Sequence, residues 1–386
     1  MRVLHVLSRD ESLAPLSALY QQYDMQNEHS FLTTVPMTTV LKKWPAMLGI
    51  RGLQTIPPFK RFANIRSDRY VKREAAKADH VVWHSFSGGD GAILKLLSKD
   101  PALLAKSTWV VSNDEIDNLK SEKKMLRGMD SDRLHDYVYN HVGGIIVPFP
   151  RDQEHLRLHG IHHTRVTAIP QAIPPERLAL LRRSMDEPRR PDVDAPNGRL
   201  LVQVGLNMLV RNRHLDILSV VQTMENKGNI VLFMPDHYGM DGMSMSGGSK
   251  TYRSRVDKKA AAAGIRAVTM SRRVSYEAFC RYIDALDAVL LGNEKSCHPE
   301  FFLHLLARKK RIFMPADSLV RVQLNQYGAG IHALEELAGQ DAAHIRDFSP
   351  ACLPEELAEI YQGGSIAAKW IKWLEETEET EEAAHE

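Results

Sequence analysis

The sequence predicts an α/β protein of two similar domains, each a parallel sheet clothed in helices. Three observations predict it. Short apolar runs rich in Val and Ile alternate with helix-like stretches, the pattern of repeated strand-helix-strand units. The series occurs twice, with a proline-rich, highly charged break between. At 386 residues the chain also exceeds what one ordinary hydrophobic core absorbs.

The first series opens in MRVLHVLSRD, where one short apolar run meets charge at once; this reads as a strand over 3–7 rather than a secretory leader. Further strands are expected over 31–35, 81–83, 108–111 and 144–147. Helical stretches at 13–23, 69–78, 91–97 and 152–159 lie between or after them. The segment LRRSMDEPRRPDVDAPNG, 181–198, carries three prolines and dense charge with no apolar face, so it reads as an exposed linker. Beyond it the pattern restarts, with strands over 200–204, 230–234, 267–269, 288–291 and 311–314 and helices around 214–226, 250–263, 276–283 and 301–307. Apolar residues at helical spacing over 357–373 suggest one or two closing helices, and the Glu- and Ala-rich tail from 377 reads as solvated. The resulting division is 1–180, a linker at 181–198, a second domain over 199–350, and closing helices with an acidic tail over 351–386.

Composition narrows the function classes. Fifty Lys and Arg stand against forty-eight Asp and Glu, a formal net charge of +2, which gives no global electrostatic reason to bind nucleic acid. The three cysteines, Cys280, Cys297 and Cys352, show no CxxC spacing, so neither a disulfide framework nor a cysteine zinc site is indicated, and a reducing compartment fits. No run of about eighteen apolar residues occurs, so membrane contact would be peripheral.

Open α/β sheets bind ligands beyond the carboxyl ends of their strands, so the expected site is a cleft across which the two domains face each other. The strongest local signal is LLVQVGLNMLVRNRHLDIL, 200–218. A strand ends at Val204 and Gly205, and a polar turn with Asn207, Arg211 and Asn212 leads into a helix near His214. Glycine admits close backbone approach, and helix amides with an adjacent arginine suit a diphosphate. An ordinary strand-to-helix turn with solvated arginines would look the same. Neither half shows G-x-G-x-x-G after a strand, HSFSGGDG at 84–91 has the wrong glycine spacing, and no G-x-x-x-x-G-K-[ST] occurs.

The second half resembles the bacterial family that transfers 4-acetamido-4,6-dideoxy-galactose (Fuc4NAc) from its thymidine-diphosphate (TDP) donor to complete the lipid-linked trisaccharide of enterobacterial common antigen. The family's VGNSGDRSNEH turn is matched by Val204, Gly205, Asn207, Arg211, Asn212 and His214, with asparagine and arginine displaced by about one place. Its V-x-x-P-M strand end is similar to Val231 through Pro235, its YIEEV helix to the basic helix from Tyr252, its FDAY to Tyr276 through Phe279, and its CDLG to Leu286 through Ala288. In the first half, Val82, Trp83 and His84 are similar to FFFHG, and 109–115 falls where the family has WHIWGAD. Over 292–300 the chain departs from the family's Gly-Thr turn, which leaves the donor sugar open. The resemblance spans about 80–350 and implies the GT-B fold, two Rossmann-like domains, with a nucleotide-sugar donor and a polyprenyl-diphosphate-linked acceptor.

Sugar transfer needs the leaving diphosphate neutralised and a base near the acceptor hydroxyl. For the first, Arg211 leads, with Lys250, Arg253 and Arg255 following the glycine-rich segment 239–248. Gly205, Asn207, Asn212 and Pro235 complete the donor set, together with Glu294 and Glu300 beyond the strand at 288–291; Glu300 equally suits the acidic start of a helix. For the base, Asp114 and Glu115 follow the strand at 108–111 and His84 ends its neighbour, although Asp114 equally suits a helix cap. Asp130, Ser131 and Asp132 look like a D-x-D metal signature but precede a helix, and His159, His162 and His163 have no supporting carboxylates. No metal and no cofactor are therefore expected. From Leu41 to Arg73 the chain carries nine Lys and Arg and one acid, with Trp44, Met47, Leu48, Ile50, Phe59 and Phe62 among them. Such a stretch suits the anionic cytoplasmic leaflet at about 1 kcal/mol per basic residue, or a solvated insertion.

The expectation is a hexosyltransferase-type enzyme of cell-envelope polysaccharide synthesis, cytoplasmic and peripheral on the inner membrane. Two rivals share its fold: a sugar-nucleotide epimerase, which needs no acceptor, and a non-catalytic nucleotide-sugar-binding protein.

Overall fold

The computed structural model of the chain describes residues 1–7, 13–33, 53–55, 63–84, 91–111, 115, 131–173, 178–179, 181–183, 198–235, 250–270, 276–293 and 299–385. They form two compact units: Met1–Glu176 with Glu359–Glu386, and Arg177–Ala358.

The first unit runs β1 (Arg2–Leu7), α1 (Leu13–Tyr23), β2 (Glu28–Thr33), β3 (Leu53–Thr55), α2 (Ala63–Ala75), β4 (His80–His84), α3 (Gly91–Lys99), α4 (Pro101–Ala105), β5 (Ser107–Val110), α5 (Ser131–His141), β6 (Gly144–Val147), α6 (Asp152–Leu158) and β7 (Val166–Ala168). Its seven strands are all parallel, in the order β3, β2, β1, β4, β5, β6, β7. Strand alternation splits the core in two. Leu4, Val6, Leu32, Val81, Trp83 and Trp109 point to the face covered by Val71, Leu94, Leu104 and Tyr139 from the helices between β3 and β6. Val3, Leu7, Phe31, Val82 and Ile146 point to the other, covered by Leu16, Leu19 and Tyr20 of α1 and by the last helix of the chain. Both faces are dry, which is why the strands read as near-continuous apolar runs.

The second unit runs β8 (Leu200–Val204), α7 (His214–Thr223), β9 (Ile230–Pro235), α8 (Lys250–Ala262), β10 (Arg266–Met270), α9 (Tyr276–Ala285), β11 (Ala288–Leu290), α10 (Pro299–Ala307), β12 (Arg311–Met314), α11 (Leu319–Gln326) and β13 (His332–Ala333). Its six strands are again parallel, ordered β10, β9, β8, β11, β12, β13. In each unit the first strand lies inside the sheet and the chain winds outward to both sides. That places a topological switch point between β1 and β4 in one unit and between β8 and β11 in the other.

After α12 (Glu355–Ile360), the final helix α13 (Gly363–His385) packs back on the first unit. The acidic tail continues this helix as far as His385, with Glu378 and Glu379 exposed on it. Ile366, Trp370, Trp373, Leu374 and Thr377 bury one face, while Lys369, Lys372, Glu375, Glu376, Glu378 and Glu379 are exposed. Arg165 holds it, lying over the Trp373 ring at 4.1 Å and donating to the Trp373 carbonyl at 3.1 Å. No described helix is long and apolar enough to cross a membrane.

Candidate functional site

In the second unit the turn after β8 is built around two glycines. Gly205 has φ of 69°, and a Cβ there would sit 2.6 Å from His214 Nε2; its amide donates to the Leu290 carbonyl at 2.8 Å. A Cβ on Gly292, just past β11, would lie 2.3 Å from the Asn212 carbonyl oxygen and 2.8 Å from Arg213 Cβ. Only glycine lets the turn close onto the end of the neighbouring strand.

Two asparagines hold the turn's shape. Asn212 Oδ1 accepts from the Leu206 amide at 3.2 Å, while its Nδ2 donates to the Asn207 carbonyl at 2.9 Å and side-chain oxygen at 2.6 Å. Asn207 Oδ1 also accepts from the Leu209 amide at 3.3 Å. Both asparagines are buried, so their hydrogen bonds fix the backbone. Gln203, in turn, donates to the Gly205 carbonyl at 2.8 Å and accepts from Tyr282 at 2.9 Å. What faces outward from the 3-10 turn Val210–Asn212 is Val210, 67% exposed, with Arg211 half-buried beside it.

The helix N-terminus itself differs from expectation. Arg213, at φ 50°, precedes α7 and gives no side-chain cap. The Tyr252 hydroxyl lies 3.4 Å from His214 Nδ1, and burial raises its pKa. Burial also holds His214 down to about 4, a neutral ring packed under Gly205.

Around this turn, Pro235 is buried at the end of β9. Glu300 is buried in the first turn of α10, where a carboxylate meets the positive end of the helix dipole. Lys250 and Arg255 are exposed on α8 with Arg253 half-buried. Glu294 and the segment 239–248 lie outside the described residues. Asn293, which sequence reasoning passed over, is 4% exposed beyond β11; its backbone carbonyl accepts from Ser318 at 2.8 Å, while Oδ1 is buried without a partner among the described residues. An orphaned buried acceptor costs about 1–3 kcal/mol, and a ligand hydroxyl would relieve it.

In the first unit, His84 stands at the carboxyl end of β4, beside β1 at the switch point, with 6% of its surface exposed. It ends a buried line of rings. His84 Nε2 lies 3.0 Å from His5 Nδ1, His5 Nε2 lies 3.0 Å from His29 Nδ1, and His29 Nε2 lies 2.9 Å from Asp24 Oδ2. Register puts all three rings on one face: Val3 pairs with His29, His5 with Phe31 and Val82, and Leu7 with His84. Phe31 and Tyr20 pack on His5 at 4.8 Å, Tyr20 stacks on His29 at 4.1 Å, and Trp370 lies 6.2 Å from His84.

Burial lowers all three histidines, His84 to about 3 and His5 well below its usual range, so the rings are neutral at physiological pH. Burial pushes Asp24 the other way, but hydrogen bonds from Asn27 and His29 outweigh it and hold the carboxyl below its ordinary value. The strand pattern in MRVLHVL gave no sign of this line, because a lone histidine on an apolar face looks the same whether or not it has partners.

Of the other catalytic candidates, Glu115 is wholly buried in helical backbone beyond β5, and Asp114 lies outside the described residues. His163 is bound to main chain, its ring contacting the carbonyls of Val142 and Arg165; His162 is exposed. Among the described residues no three His, Cys, Asp or Glu side chains are grouped to hold a metal ion. Of the basic aromatic stretch, Leu53–Thr55 forms the sheet-edge strand, and Arg73 lies over the Tyr70 ring at 4.7 Å. Trp44, Met47, Leu48, Ile50, Phe59 and Phe62 lie outside the described residues.

No family model and no curated protein matches the chain. Solved structures do. Anabaena HepE in complex with UDP and glucose matches with a TM-score of 0.55 at 12% identity, over 96% of this chain and 95% of that one. Sucrose-phosphate synthase from Thermosynechococcus elongatus matches with 0.57 at 11% identity, over 97% and 99%. The fold is GT-B. UDP-N-acetylglucosamine 2-epimerase from Rickettsia bellii matches as well, with 0.53 at 11% identity over 98% and 97%. At such identities the likeness is one of GT-B fold, and the chemistry has to be argued from the side chains.

Proposed function

We propose that this chain is a glycosyltransferase moving a sugar from a nucleotide-diphosphate donor to a hydroxyl of a saccharide acceptor. The observation that carries this reading is the different equipment of the two switch points on one GT-B chain. One has a hydrogen-bonded turn bearing Arg211, suited to a diphosphate; the other has a buried histidine, suited to a hydroxyl proton. In this reading Arg211 meets the diphosphate charge, Asn207 and Asn212 shape the turn, and Asn293 Oδ1 accepts from a donor hydroxyl. His84 takes the acceptor proton in preference to Glu115, which has no exposed surface.

The finer assignment rests on the family resemblance of the 204–214 turn. It makes the donor a thymidine-diphosphate amino-deoxysugar and the acceptor a lipid-linked saccharide of a surface polysaccharide. The basic stretch 41–73 supports attachment to the anionic cytoplasmic face of the inner membrane.

Thermal shift against a panel of nucleoside diphosphates and their sugars, with and without EDTA, tests donor binding, because a ligand that binds only the folded state raises its melting temperature. Incubation of the stabilising nucleotide-sugar with and without a lipid-linked acceptor then separates the classes. Transfer that requires acceptor supports the transferase. Interconversion of the donor alone would make the chain an epimerase, and binding without turnover a carrier.

A further inference from the structure

The hydrogen-bonded line from Asp24 to His84 has a direction that one group decides. Asp24 accepts at both oxygens: Oδ1 from the Gln26 and Asn27 amides at 3.3 and 3.2 Å and from Asn27 Nδ2 at 3.1 Å, Oδ2 from Asn27 Nδ2 at 2.9 Å and from the His29 ring. A carboxylate only accepts, so His29 must carry its proton on Nε2. A neutral imidazole has one N–H, which makes His29 Nδ1 an acceptor and requires His5 to carry its proton on Nε2. By the same step His5 Nδ1 accepts, and His84 must donate from Nε2. Five of the six ring nitrogens are then committed in line, and the one outside it, His84 Nδ1, is left with a bare lone pair at the carboxyl end of β4.

Resting on the transferase reading above, we propose that Asp24 is a positioning residue which, through His29 and His5, holds His84 as the Nε2–H tautomer and so makes Nδ1 the catalytic base. As the acceptor hydroxyl oxygen bonds to the sugar's anomeric carbon, the carbon's bond to the diphosphate oxygen breaks, and its electron pair leaves with the nucleoside diphosphate. The hydroxyl proton moves to His84 Nδ1, and the resulting imidazolium later returns it to water. Tyr20, Phe31 and Trp370 close around the rings and keep water from breaking the sequence of donors. His80, on the same face, pairs with Thr108 at 2.8 Å rather than with the line.

The decisive variant is Asp24→Asn, which keeps the shape and changes one acceptor into a donor. The Gln26 and Asn27 amides require an oxygen at the Oδ1 position, so the new NH2 faces His29 Nε2. Every ring then reverses, and His84 Nδ1 becomes protonated and unable to act as a base. The test is a long-range 1H–15N correlation spectrum of the full chain labelled at histidine, with steady-state kinetics beside it. In the wild type, His84, His5 and His29 should all be Nε2–H tautomers with bare Nδ1. In Asp24→Asn all three should invert, kcat should fall by roughly 10²- to 10⁴-fold, the span a general base contributes, and the donor KM and nucleotide-induced thermal shift should not move. Asp24→Glu, which retains a carboxylate, should restore part of kcat together with the wild-type tautomers.

A wild-type His84 carrying its proton on Nδ1 overturns the proposal without any variant. So does Asp24→Asn with inverted tautomers and wild-type kcat. If neither protein transfers sugar at all, the transferase reading falls, and the tautomer spectrum still decides whether Asp24 sets the line.

Discussion

The two units share one strand order, apart from the additional β7 of the first, and carry different side chains at their switch points. Around β8 and β11 the carboxyl edge is made of glycine and asparagine, with His214 held neutral under the turn and Arg211 at the rim. Around β1 and β4 it is made of histidines wired to a carboxylate. The first edge fixes backbone shape and presents charge; the second fixes where a proton sits. A switch point supplies only a location, and the side chains that face it decide whether it binds or reacts.

The comparison breaks most visibly at His84. His84→Gln should lower the transfer rate by roughly 10²- to 10⁴-fold with the nucleotide thermal shift intact; equal loss of both would mean that the units do not divide the labour. Gly292→Ala is the counterpart in the second unit. Its Cβ would press on the Asn212 carbonyl, a backbone atom that cannot swing away, and overpacking of this kind costs about 1–3 kcal/mol. Chemical denaturation should show that loss, and nucleotide stabilisation should weaken because the turn is displaced. A variant as stable as the parent would show that the turn is not held by that contact.

Both sheets were legible in the sequence because fully buried parallel strands leave apolar runs that local pattern detects. The edge strands β3, β7 and β13 were not: at two or three residues they carry no period and exist only by pairing with a neighbour. The turn after β8 was legible as a turn, since glycine and asparagine after a strand end favour tight backbone, whatever that turn binds. Its contact with Tyr252 was not, because the hydroxyl arrives from α8, 38 residues away from His214. The histidine line was hidden for the same reason. His5, His29 and His84 sit on three strands, and only register shows that they share a face.

Acid should act on both edges in the same direction. An unfolded histidine takes up its proton near pH 6.5, whereas His214 resists to about 4 and His84 to about 3. Across that window the unfolded chain binds more protons, so stability falls as pH falls from 6.5, by about 3 kcal/mol for His214 at pH 4. Asp24, whose pKa is depressed, adds to the loss only at lower pH, as its own carboxylate becomes protonated. Melting temperature recorded from pH 7 to 4 should drop through this window, and a flat profile would mean that the rings are solvated. Arg211→Ala should leave that profile unchanged and weaken nucleoside-diphosphate binding by about 1.5–3 kcal/mol, the value of a charge-assisted contact; unchanged affinity in titration calorimetry would remove Arg211 from the site.

The smallest expected effect separates the units by their means of support. The first unit is completed by α13, which the chain supplies only after finishing the second, and Arg165 is one of its fastenings through Trp373 and Thr377. Gly144 is equally committed, since a Cβ there would meet the Trp373 ring at 2.4 Å. Arg165→Met keeps the aliphatic stem and deletes the guanidinium, removing a cation–π contact and two hydrogen bonds worth about 1–2 kcal/mol together. Because Trp370 of the same helix packs against Tyr20 and His84, loosening α13 should lower transfer by a modest factor as well as stability. The nucleotide-induced shift belongs to the other unit and should not change. If it does change, α13 supports both units, and the division of labour argued from the two switch points would have to be replaced by a single coupled site.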